Sequence, residues 1–473
     1  MNAKRVAASL LLGVLLAACA GTPGSPTPMG SSPLRSPGVQ TSLAPTVEPA
    51  TPKPTYVPSP TPAPSASPSA TPVATLVWHR LGAIPMRYPS DLAVAGEIGS
   101  SPIDGLVGFA KGYVVLDGHA GAVWHSKDGR SWKRVRLPIQ LPLEEAKDGN
   151  GMLGRVITTN GREVLVVGGY SHAPCHRGVG ATGGGPECAV SPITWISADG
   201  RTWRRAFPDS DGEFVAAWPV AGGWMAAESS WSGACLYGAM LWRSADGIRW
   251  KRTETTPPAA WEGYDRVPVG IASETGTQIL AASERIWPPW RTVTTVAAAV
   301  EGGSWRVLGG FPGEGAQVVA GVALTAGRSA WVLGGWSATS VHVAASYHEA
   351  PDEWTVPTAW SSVDGVKWTL TVLPVGPGLP PTEPGDTGVQ VTAVTSVALT
   401  ERGYVAVGAY GTPHGGARHE TWASDDGVTW NRLPQPARPR FDYGPGLVAN
   451  GPAGVIGISG TKAHDELVVW QLR

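Results

Sequence analysis

Charge is scarce in this chain. Asp, Glu, Lys and Arg make up 15% of 473 residues, 36 basic against 37 acidic. A net charge of −1 offers no basic excess of the kind that holds nucleic acid, so none is expected as a partner. Phe is rare at 5, and Cys stops at 4, too few for a disulfide framework to replace a hydrophobic core. The apolar run Val6 to Ala18 is 13 residues long, too short to span a bilayer as a helix. An apolar content of 42% nevertheless excludes wholesale disorder. What the chain has in quantity is Trp at 22, Gly at 62 and Pro at 44, the make-up of a turn-rich all-β protein.

The N-terminal part reads differently from the rest. Lys4 and Arg5 precede the apolar run, which ends in Leu16-Ala17-Ala18-Cys19. A basic start, a short apolar stretch and small residues make an export signal over residues 1–18. Its end resembles the lipobox of bacterial lipoproteins, which implies cleavage before Cys19, a lipid on its thiol, and an outward-facing place on the cell membrane. Residues 20–75 hold 15 of the 44 prolines and only Arg35, Glu48 and Lys53 as charges. Such a stretch cannot bury enough apolar surface to offset chain entropy, so residues 19–75 are expected to form an extended tether.

Beyond the tether a nine-residue pattern recurs. Trp124-His125-Ser126-Lys127-Asp128-Gly129-Arg130-Ser131-Trp132 returns around Ser197, Asp199, Gly200 and Trp203. It returns again at Ser244, Asp246, Gly247 and Trp250, at Ser362, Asp364, Gly365 and Trp368, and at Ser424, Asp426, Gly427 and Trp430. Asp accepts backbone N–H groups within its own turn, Gly supplies positive φ, and the second Trp covers the hairpin. A short strand and often a Pro follow, as in Leu137-Pro138 and Leu433-Pro434.

W-x-S-x-D-G-x-x-W resembles the Asp box, or bacterial neuraminidase repeat, of β-propeller proteins. In that family the box joins the third and fourth strands of a four-stranded blade. Six second-Trp positions are found, counting Trp305, and Trp78 copies the strand after a box with no box before it. Leu467 to Arg473 copies the strand before a box with none after it. The expectation is a seven-bladed propeller over residues 76–473, its last blade closed by pairing of the two ends.

In the family, loops between strands 2 and 3 lie on the face away from the boxes, and those loops here are expected to carry function. The candidate ligand face comprises Arg155, Arg266, His172, Arg177, Trp231, Trp287, Trp336, Tyr347, Trp354, Tyr410, Arg418 and Glu420. Aromatic plates beside Arg and carboxylate suit a glycan or protein ligand. The histidines match no zinc spacing, so neither metal nor cofactor is expected. Cys175 and Cys188 bracket one loop and form the simplest disulfide pair, leaving Cys235 free. Sialidases share the repeat, but their three-arginine, Tyr/Glu and Asp constellation cannot be assigned here. The repeats resemble more closely the non-enzymatic relatives, such as photosystem II assembly factors and sortilin-like receptors, which implies a monomeric binding disc. Two alternatives stand beside it: an exo-sialidase-type glycoside hydrolase, and a structural spacer with no specific ligand.

Overall fold

The computed structural model describes residues 76–85, 105–118, 121–138, 153–171, 190–210, 212–232, 235–253, 267–272, 277–286, 291–300, 305–310, 317–318, 331–341, 353–375, 391–412, 415–435, 445–460 and 466–473. All lie in Pro72–Arg473, the second of the two units into which the chain divides. The export signal, Cys19 and the tether fall outside the described residues.

β1 (Trp78–Pro85) comes first and joins its sheet last. Sheet 1 holds β2 (Gly105–Phe109), β3 (Gly112–Asp117), β4 (Ala122–Ser126) and β5 (Lys133–Arg136). Sheet 2 holds β6 (Leu153–Thr159), β7 (Val164–Ser171), β8 (Val190–Ser197) and β9 (Arg204–Ala206). Sheet 3 holds β10 (Glu213–Val220), β11 (Gly223–Ser232), β12 (Cys235–Ser244) and β13 (Trp250–Arg252). Sheet 4 follows with β14 (Val267–Ala272), β15 (Thr277–Ile286), β16 (Arg291–Val300) and β17 (Arg306–Gly310). Sheet 5 contains β18 (Gln317–Val318), β19 (Trp331–Val341), β20 (Glu353–Ser362) and β21 (Thr369–Val372). Sheet 6 contains β22 (Val391–Thr400), β23 (Gly403–Thr412), β24 (Gly415–Ser424) and β25 (Asn431–Arg432). Sheet 7 contains β26 (Leu447–Gly451), β27 (Gly454–Gly460), β28 (Glu466–Leu472) and, outermost, β1.

Every sheet is antiparallel, the first six as meanders of consecutive strands, and the sheets pack one on the next. β2 touches β6 and β26; β10 touches β6 and β14; β16 touches β18; β22 touches β19 and β26. That sequence of neighbours returns to its start, which is the arrangement of a β-propeller. The end strands pair as expected from sequence: Trp78 lies opposite Leu472 and Pro85 opposite Glu466. Val77 and Arg473 then exchange two backbone hydrogen bonds, of 2.9 and 3.1 Å.

The core lies between sheets. β3 is buried along its whole length, with Val114 and Leu116 facing sheet 2 and Tyr113 and Val115 facing sheet 7. Burial on both faces explains why runs such as Tyr113-Val-Val-Leu116 and Leu165-Val-Val167 lack the polar alternation of a half-exposed strand. Tyr113 shows how tightly sheets 7 and 1 are joined. Its hydroxyl donates to the Gly454 carbonyl at 2.6 Å and accepts the Ala453 N–H at 3.0 Å. Burial pushes the phenol pKa up to about 12.

Candidate functional site

The sheets have two ends, and the repeated turns occupy one of them. In each turn the Asp carboxylate accepts the N–H groups two and three residues on. For Asp199 these come from Arg201 at 2.8 Å and Thr202 at 2.7 Å, and for Asp364 from Val366 and Lys367, both at 2.8 Å. The Ser hydroxyl donates to the same carboxylate at 3.0 to 3.3 Å in all five turns. Backbone N–H bonds hold the carboxyls of Asp128, Asp246 and Asp364 below the ordinary range. At Asp199 burial works to raise the pKa, but the Thr202 and Arg201 N–H groups and the Ser197 and Thr202 hydroxyls outweigh it, and the value falls to about 2. Each of the five carboxylates is held ionised by its own turn, so none is poised as a proton donor near neutral pH.

In the turns of sheets 1, 2, 3 and 6 both tryptophans and the glycine face the preceding sheet. Trp195 and Trp203 of sheet 2 pack with Val114 and Val123 of sheet 1, and Trp422 and Trp430 of sheet 6 pack with Val332 of sheet 5. The second indole N–H donates back to the turn glycine's carbonyl in all five copies, from 2.9 Å at Trp132 to 3.3 Å at Trp203. The first indole reaches across the junction: Trp195 donates to the Pro138 carbonyl at 3.3 Å and Trp422 to the Pro374 carbonyl at 2.7 Å. The prolines after the repeats of sheets 1 and 5 thus present their carbonyls to the next sheet. The junction of sheets 2 and 3 does otherwise. The carbonyl of Pro208, which follows the sheet 2 repeat, accepts the Ser210 N–H at 3.0 Å, and Trp242 of sheet 3 donates instead to Glu228 at 2.5 Å.

Two carboxylates and one imidazole of this framework were not singled out from sequence for these places. Glu228 is fully buried and also accepts the Ser210 hydroxyl. Glu420, expected on the ligand face, is instead buried in sheet 6, where Arg432 grips it with bonds of 2.6 and 2.8 Å. His125 is wedged between sheets 1 and 2, its Nδ1 accepting the Arg201 Nε–H at 3.2 Å. Burial first, and the Arg201 charge second, lower its pKa. An Asx or Ser turn is readable locally; these contacts depend on which strand lies opposite, and no local signal marks them.

The hairpin ends opposite the turns carry the other candidates. Gly411 to Glu420 reads as a loop from sequence, yet β23 runs to Thr412 and β24 restarts at Gly415. Tyr410 and Arg418 therefore stand directly opposite each other on paired strands. Trp231 lies in β11 opposite Leu236, and Trp336 and Trp354 lie in β19 and β20, so these three are strand residues as well. Arg155 sits in β6 where the register with β7 shifts between Gly154 and Val156. A bulge at the corresponding step recurs in β10 and β22, and bulges re-aim the residue they insert. Arg266, His172, Arg177, Trp287, Tyr347, Cys175 and Cys188 lie outside the described residues. Among the described residues no group of three His, Cys, Asp or Glu side chains could hold a metal ion.

No family model matches the chain, and no curated protein matches it. Among solved structures, streptogramin B lyase aligns with 84% of this chain and 98% of its own, at 8% identity and a TM-score of 0.42. A protein of unknown function from Dyadobacter fermentans DSM 18053 aligns with 67% of this chain and 93% of its own, at 14% identity and a TM-score of 0.39. The alpha-L-arabinanase of Penicillium chrysogenum, complexed with arabinobiose, aligns with 66% and 89%, at 14% identity and a TM-score of 0.38. Likeness this distant has no bearing on chemistry.

Proposed function

We propose that this chain is a bacterial surface lipoprotein, held to the cell membrane through Cys19, whose seven-bladed Asp-box propeller binds a glycan or protein ligand on the side away from the boxes. One observation carries the reading. Among the described residues seven carboxylates are already engaged: five inside their turns, Glu228 by an indole and a hydroxyl, Glu420 by Arg432. The opposite hairpin ends place Tyr410 beside Arg418 and carry Trp231, Trp336 and Trp354, residue types that stack on sugars or peptide side chains and fix them by directed hydrogen bonds.

The test is hydrolysis of a fluorogenic sialoside and of neutral glycosides by the purified chain from Cys19 onward, run beside a glycan-array and envelope-protein binding screen. Binding without turnover, weakened at least tenfold by Arg418→Ala, is the expected result. Turnover that vanishes in Arg155→Ala or Arg266→Ala would replace the binding disc with a sialidase-type hydrolase. Neither turnover nor binding, in a folded sample, would leave a structural spacer. The anchor is checked separately, since Cys19→Ser should release the protein from cells into the medium.

A further inference from the structure

A net charge of −1 conceals a strong segregation. In sheets 1, 2 and 3 the turn and outer strand cover residues 126–136, 197–206 and 244–252. These stretches hold eleven of the 36 Lys and Arg but only three acids, each of them a turn Asp already bonded to its own backbone. The two positions after the second Trp are basic in all three sheets: Lys133-Arg134, Arg204-Arg205 and Lys251-Arg252. All six are exposed except the half-buried Arg205. The corresponding stretches of sheets 5 and 6, residues 362–372 and 424–432, hold two basic residues and three acids. One of those two, Arg432, is bound to Glu420.

Basic residues on an outer strand also blunt edge-to-edge aggregation. That role would be needed at every sheet, and sheet 5 has Thr369-Leu370 at the same two positions. The cations therefore mark a place rather than a general defence. Sheet 7, which packs on sheet 1, is where the described chain enters, its first strand β1 starting at the turn end. The basic arc thus begins one sheet away from the start of β1.

We propose that this arc, the outer edges of sheets 1 to 3, docks on an anionic lipid bilayer. The inference rests on the reading that Cys19 anchors the chain, because an anchored chain meets its own membrane at a high effective concentration. Each Lys or Arg near an anionic surface contributes about 1 kcal/mol, a factor of about five in partition, and the attraction fades within a Debye length. Docking would turn sheets 4 to 6 away from the bilayer and leave their hairpin ends open to a partner.

The test uses the chain from Cys19 onward carrying Cys19→Ser, so that no lipid is attached, in co-sedimentation with vesicles. Binding is expected to vesicles of 40% phosphatidylglycerol in phosphatidylcholine, to be lost on pure phosphatidylcholine, and to fall as salt rises. The fourfold variant Lys133→Gln, Arg134→Gln, Lys251→Gln, Arg252→Gln should bind between about twentyfold and several hundredfold more weakly. Lys367→Gln with Arg402→Gln, on sheets 5 and 6, should bind within twofold of the parent. The charge-keeping pair Arg134→Lys, Arg252→Lys should bind like the parent, which separates loss of charge from loss of fold. Equal binding to neutral vesicles, or unchanged binding of the fourfold variant, overturns the proposal. Retention on a soluble polyphosphate with no binding to vesicles overturns it too, in favour of a linear polyanion. Failure here leaves the anchor intact, since that is read from release of the Cys19→Ser protein by cells washed at high salt, where the arc no longer binds.

Discussion

Asp199 offers the sharpest single test of how the repeated turns hold the sheets. Its carboxylate accepts two backbone N–H groups and the hydroxyls of Ser197 and Thr202, at 2.7 to 3.1 Å. The pKa falls from an ordinary 3.8 to about 2. At face value that difference is worth roughly 2 kcal/mol; solvent screening of a turn at the surface reduces the expected contribution of the charge to about 1 kcal/mol. Asp199→Asn keeps an acceptor and should lose about that amount at pH 7. Asp199→Ala also gives up the turn's hydrogen bonds and should lose about 1–2 kcal/mol, as capping substitutions do. The sign follows from linkage. The folded state binds the proton less readily, so the stabilisation is complete above about pH 4 and disappears as pH falls through about 2. Urea midpoints of parent and Asn variant, measured at pH 7, 5, 3 and 2, should therefore converge on acidification. A gap that persists unchanged at pH 2, or no gap at pH 7, refutes the charge as the source.

Three further outcomes follow from the same contacts. Arg432→Ala leaves Glu420 buried without its cation and should cost about 3–5 kcal/mol; in Glu420→Gln the loss should be smaller, and the double variant should cost less than the sum, as a double-mutant cycle in urea would show. Gly200→Ala places a Cβ 2.4 Å from the His125 ring at a φ of +71°, so at least about 2 kcal/mol should be lost by thermal or urea melting. His125 has a folded pKa below its ordinary value, so its contribution is present above about pH 6.5 and is lost as pH falls through the folded value; His125→Gln should flatten stability against pH between 7 and 5.

The parts of this fold readable in the sequence are those built from near neighbours. Ser126, Asp128, Gly129 and Trp132 complete their bonds within a few residues, so the pattern alone announces the turn. Trp78 and the Leu467–Arg473 stretch betrayed the closing pair because each is half of a motif whose other half is missing. What stayed hidden depends on partners far along the chain. Pro138 follows the repeat visibly, but its purpose, an acceptor for Trp195, exists only once sheet 2 is laid on sheet 1. Glu420 reads as an exposed carboxylate until Arg432 is brought across from the neighbouring strand. The basic arc is invisible to a charge total because acids elsewhere cancel it.

The closing pair has a consequence for the order in which the molecule is made. Arg80 and Glu466, which bond across it, stand 386 residues apart. Drawing together the ends of a loop that long costs about 5 kcal/mol of chain entropy. A chain synthesised from its N-terminus must therefore hold β1 idle until the last strand has appeared. Until then β1 is a strand without a sheet, and β28, once formed, is a sheet edge without its cover. Two copies caught at that stage can each accept the other's β1. Crowded refolding should thus yield strand-exchanged dimers that dilute refolding does not.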